Sequence, residues 1–157
     1  MTIRRFPFNA DDDAIKTLIV EWSELLAQKR FADALSMFLH FDDEVEWTPE
    51  TLEQVIAGFG ILDPDEDVIQ AMLKEWGVER FEVTTLAGRT DKDEIIRDKI
   101  RVDREKLYGL DPKNYAGMVH YYDIPLSGFR SDLTARFHIK RLAPQTLTLE
   151  FRDVHVM

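Results

Sequence analysis

The chain has 157 residues, enough for one domain with a real core and short for two. Its 45% apolar and 32% charged residues give a globular rather than a disordered composition, and 20 Lys and Arg against 30 Asp and Glu leave a net charge of −10. That balance argues against nucleic acid and anionic membranes as partners, and the absence of cysteine excludes disulfides, thiolate nucleophiles and zinc–thiolate sites.

The opening residues hold Arg4 and Arg5 but are followed by Asp11, Asp12 and Asp13 rather than by an apolar run, so no leader peptide is expected. No stretch approaches the roughly 20 apolar residues of a membrane helix, and a cytoplasmic protein is the expectation. The three aspartates suit the first turn of a helix, where unpaired N–H groups favour negative charge. Ile15, Leu18, Ile19, Trp22, Leu25 and Leu26 then follow at helical spacing, which predicts a helix over 12–28. Lys29 and Arg30 interrupt the stripe, and Phe31, Leu35, Phe38 and Leu39 resume it as a second short helix.

Thr48 and Pro49 are a start signal, a hydroxyl cap followed by proline at the first helical position. Leu52, Val55, Ile56 and Phe59 continue it, and Gly58 and Gly60 end it. Asp63 with Glu66 has the spacing of a capping box, ahead of Val68, Ile69, Met72, Leu73 and Trp76 on one face and Gly77 as the stop. Trp22 and Trp76 are expected in the core, and Trp47 beside the Thr48 cap.

From residue 80 the period becomes two. Phe81, Val83 and Thr85 alternate with polar residues, Ile96–Val102 alternates more weakly, and Met118–Ile124 is rich in Tyr, Val and Ile. Leu133, Ala135, Phe137 and Ile139, then Leu147, Leu149 and Phe151, flank the turn at Ala143, Pro144 and Gln145 and predict a hairpin with one apolar face. Residues 103–117 are the loosest stretch, with a turn at 111–114. Helices followed by strands predict one α+β domain over 1–157, with the helices packed on a mainly antiparallel C-terminal sheet.

The capped first helix, the run Gln28–Phe38 after its polar break, the acidic and tryptophan residues Asp42–Trp47 and the terminal sheet resemble the NTF2-like superfamily, also described as cystatin-like or SnoaL-like. The resemblance implies a cone, a curved sheet wrapped over helices, and a homodimer joined sheet to sheet. Its members include isomerases, cyclases, dehydratases, transport factors and immunity proteins, so fold alone does not name an activity.

Strand parity offers one catalytic constellation. In a regular last strand, Asp153 and His155 share the inward side of Phe151, and Tyr121 and Asp123 share the side of Val119. A carboxylate, an imidazole and a phenol in an apolar pocket suit proton abstraction beside a carbonyl, with Tyr121 facing the oxyanion. The competing expectation is a fraying C-terminus for Asp153 and His155, and a strand end at Asp123.

His40, His120 and His138 lack metal spacing, and His138, between Arg136 and Lys140, reads as part of a solvated or interface face. Asp63, Asp65 and Asp67 fail as a calcium loop because the twelfth position is Lys74. There is no phosphate fingerprint around Gly58 and Gly60 and no G-x-S-x-G, so no metal and no cofactor is expected. The acids of 11–13, 42–46 and 63–67 have two readings, solubility with helix capping, or steering toward a basic protein. Three readings stand: a non-catalytic interaction protein of the immunity type that meets a basic toxin, a SnoaL-like enzyme or binder of a small apolar ligand, and a scaffold whose pocket is filled by its own tryptophans.

Overall fold

In the computed structural model, which describes residues 3–42 and 45–156, the chain enters through a short strand β1 (Arg5–Pro7) and turns into helix α1 (Asp12–Ala27). Asp43 and Glu44 of the acidic run lie outside the described residues. Asp11 caps α1 by accepting from the Ala14 N–H, and Asp12 and Asp13 occupy the first turn. Ile15, Ile19, Trp22 and Leu26 are buried along one edge of the stripe, with Leu18 and Leu25 partly buried beside them.

Helix α2 (Phe31–Ser36) stops short of the expected stripe. Leu39 and His40 form β2 (Leu39–His40), parallel to the last strand of the chain. A six-residue helix gains little from one more turn, and the open flank of a strand offers ladder bonds instead.

Helix α3 (Pro49–Ala57) begins as expected, with Thr48 accepting from the Thr51 N–H and Pro49 in the first turn. Helix α4 (Glu66–Trp76) is capped by Asp65, not by Asp63. The Asp65 carboxylate takes the N–H groups of both Asp67 and Val68, so one side chain satisfies two orphan donors. Gly77 ends α4 at φ 70°, and the Val78 N–H returns to the Leu73 carbonyl.

The alternating run at 81–85 is not a strand. Phe81 and Val83 are buried as the alternation demands, but only one bridge forms, Val83 with Leu126. Its other backbone bonds go to the small hairpin of β5 (Pro125–Leu126) and β6 (Phe129–Arg130), where Thr84 donates to Pro125 and Ser127 donates to Glu82.

The weak alternation at 96–102 also resolves differently. A short turn α5 (Lys92–Glu94) runs into a π-helical turn, Ile95–Lys99, before β3 (Ile100–Asp103). The Ile100 N–H donates to the Ile95 carbonyl, and this wide turn puts both isoleucines in the core.

The main sheet adds β4 (Tyr115–Tyr121), β7 (Leu133–Leu142) and β8 (Thr146–Val156). Its order is β1-β8-β7-β4-β3, antiparallel throughout except for β2, which pairs with β8 beyond the stretch that β1 covers. The fold is therefore α+β, with the helices packed against a strongly curled half-barrel sheet, the cone architecture expected.

Two bulges interrupt the ladders, one at Tyr115/Gly117 and one at Arg136/Phe137. Gly117 has φ 142°, and a Cβ there would stand 2.2 Å from the Asp103 carbonyl oxygen, so only glycine fits. The inner face carries Ile100, Val119, Leu133, Ala135, Phe137, Ile139, Leu147, Leu149 and Phe151, all buried, so the hairpin shares one apolar face as expected. No described helix is long and apolar enough to cross a membrane.

Candidate functional site

The interior of the cone is filled by aromatic rings. Trp22 from α1 stands edge-on to Phe137 with ring centres 5.0 Å apart, and lies 5.7 Å from Phe151. Phe38 meets Phe137 from the other side at 5.7 Å. Trp22 is thus core as expected, and Trp76 is partly buried against Phe59 and Phe81.

The four residues expected to converge are separated. Tyr121 does share the inner face with Val119, and both are fully buried. Burial pushes its phenol up to about 12, and the Ser23 hydroxyl lies close by without reaching hydrogen-bonding geometry. Asp123 lies past the end of β4 at φ 54° and pairs with Lys99 at 2.8 Å.

Asp153 and His155 lie on the opposite face of the sheet from Tyr121. Arg136 pairs with Asp153, yet its neighbour Phe137 pairs with Phe151, which leaves Arg152 as the extra residue of a bulge. The bulge inverts parity, so that Val154 follows Phe151 into the core and Asp153 and His155 turn outward. The apolar Val154, out of phase with Leu147, Leu149 and Phe151, is the signal that would have revealed it.

Outside, Arg136 grips the Asp153 carboxylate through both Nε and Nη2, and His155 Nδ1 lies 3.0 Å from Asp153 Oδ1. Burial raises the Asp153 carboxyl, but the Arg136 bonds outweigh it and hold it below its ordinary value.

The outer face carries a second cluster that strand alternation alone misjudges. His138 is not solvated but fully buried, and Glu150 is 5% exposed. Glu150 Oε1 receives Tyr115 OH at 2.9 Å and lies 2.9 Å from His138 Nδ1. Arg152 Nη1 is 3.2 Å from His138 Nε2. A guanidinium only donates, so Nε2 accepts and Nδ1 carries the proton to Glu150.

Phe41 closes the cluster from the side, its ring centre 4.9 Å from that of His138 and 5.1 Å from the Arg152 guanidinium carbon. Trp47 is buried and donates to the Arg152 carbonyl at 3.1 Å, so it braces the bulge rather than only the Thr48 cap. Burial raises Glu150, but the bonds from His138 and Tyr115, with Lys140 nearby, leave it below its ordinary value. An imidazole oriented by a carboxylate is a base by design, but here its acceptor nitrogen is covered by a guanidinium, and the arrangement ties β4, β7 and β8 together.

The surface is divided by charge. Residues 42–79 hold twelve carboxylates against Lys74 alone, a net −11, while all other residues hold 18 acids and 19 bases, a net +1. The net charge of the protein thus belongs to α3, α4 and their flanking loops. Counting acidic clusters leaves this unseen; a single base over 38 residues is the informative feature.

Within that half an apolar groove of about 520 Å³ runs between α4, the α3–α4 loop and the end of β8. Ile61 and Val68 on its walls are 56% and 54% exposed, and Val156 is 42% exposed. Among the described residues no three His, Asp or Glu side chains gather as a metal site. Comparisons with protein-family models, with curated proteins and with solved structures find no match for this chain.

Proposed function

We propose that this chain is a non-catalytic binding protein on an NTF2-like cone, an immunity-type inhibitor whose acidic helical half engages a basic protein. The observation that carries the reading is the segregation of charge: a net −11 over residues 42–79 on a chain that is otherwise near neutral. Such a field steers a cationic partner and orients it on one face. The rings of Trp22, Phe137 and Phe151 in the cone and the separation of Tyr121 from Asp153 and His155 support binding over catalysis.

The test is affinity capture from native lysate on two triple variants and the unaltered chain. One variant reverses exposed acids of the acidic half, Glu53→Lys, Asp63→Lys and Glu75→Lys. The other reverses exposed acids elsewhere, Asp93→Lys, Glu105→Lys and Asp132→Lys. The expected result is a basic protein held at about 0.05 M salt and released near about 0.3 M, kept by the second variant and lost by the first. An empty column, a neutral or acidic partner, or equal loss from both variants contradicts the reading.

A further inference from the structure

Resting on that reading, we infer that the groove between α4 and the end of β8 is the docking site for a basic amphipathic helix of the partner. Val68 and Met72 stand one turn apart on α4 and form one wall, and Ile61 and Val156 form the other. Three of these four are more than two-fifths exposed, an apolar surface that water covers poorly. Helix-in-groove recognition needs such a channel, into which residues at i, i+3, i+4 and i+7 are inserted.

The rim selects the charge of the occupant. Asp65 lines the groove, and Asp63, Glu66 and Asp67 flank it where α4 begins. A second copy of this chain would bring the same carboxylates against themselves, and like charges brought together across an interface are strongly unfavourable. A phosphorylated ligand or an anionic lipid meets the same repulsion. A neutral apolar molecule would leave the rim unanswered. A helix with an apolar stripe flanked by Lys and Arg meets both features at once.

The probe is a synthetic helix with Leu at i, i+3, i+4 and i+7 and Lys at the remaining positions, titrated by fluorescence anisotropy. Two control peptides scramble the Leu positions or replace Lys by Glu. The variant Ile61→Gln/Val68→Gln changes only exposed wall residues, with circular dichroism to confirm that it is folded. The expected result is binding about tenfold or more tighter for the patterned Lys peptide than for the scrambled one, none for the Glu peptide, and about a tenfold loss in the wall variant. Equal binding of patterned and scrambled peptides, or a wall variant that binds normally while Asp63→Lys/Glu75→Lys does not, overturns the groove and leaves the charge reading standing. Binding indifferent to salt and to charge reversal overturns both.

Discussion

His138 Nδ1 lies 2.9 Å from Glu150 Oε1, and neither side chain reaches solvent to any useful extent. The carboxyl of Glu150, raised by burial but lowered further by His138 and Tyr115, has a folded-state value below its ordinary one. Its contribution to stability is therefore present above the unfolded-state value, about 4.3, and is lost as pH falls through the folded value. Glu150→Gln should cost about 1–3 kcal/mol at neutral pH, because His138 and Tyr115 lose a charged acceptor. Urea unfolding at neutral pH and below about pH 4 should show the gap between variant and unaltered protein closing on acidification. A gap independent of pH contradicts the assignment.

Arg152 is the bulge residue that sends Asp153 and His155 outward. Deleting it should leave a regular ladder with β7 in which Phe151 still stands opposite Phe137 and Asp153 opposite Arg136, so that Asp153 and His155 stay outward and Val154 stays inward. The loss is then that of the Arg152 contacts, its guanidinium beside Phe41 and His138 and its carbonyl beneath Trp47, and should cost about 1–3 kcal/mol. Thermal unfolding should show one cooperative transition for the deletion and for Arg152→Ala alike. A deletion variant with a collapsed or absent transition would contradict the assignment of Arg152 as the extra residue.

Trp22 is the plug of the cone. Trp22→Ala removes the ring that meets Phe137 and Phe151 and should cost about 3–5 kcal/mol. It should also leave a dry cavity able to take an aromatic molecule. Indole added to Trp22→Ala should raise its unfolding midpoint and leave that of the unaltered protein unchanged. A midpoint shift of the same size in both proteins contradicts a filled interior.

The cap of α4 distinguishes two neighbouring aspartates. Asp65→Ala should cost about 1 kcal/mol, the usual value of a lost cap, whereas Asp63→Ala should fall within about 0.5 kcal/mol of neutral. Chemical denaturation of the two single variants measures the difference, and the reverse order would place the cap at Asp63.

Local signals were legible in the chain and long-range ones were not. Asp11, Thr48 and Gly77 act on backbone groups within a few residues, so the starts of α1 and α3 and the end of α4 follow from sequence. The β7–β8 hairpin follows from alternation and a short turn. The bulge at Arg152 does not, because parity reasoning assumes one residue opposite one residue. The burial of His138 is equally remote in origin, since Phe41 and Tyr115 that cover it lie far away in the chain. The segment 81–85 has a strand's alternation, but its bonding partner is a two-residue hairpin arm that no local pattern marks.

The most direct test of where this protein binds is an amide chemical-shift map recorded as the patterned Lys–Leu helix is added. The expected result is shifts concentrated on residues 58–72 and on Val156, fading with added salt. Shifts centred on Trp22, Tyr121 and Phe137 inside the cone, or on the β3–β4 edge, would contradict an acidic groove as the binding surface.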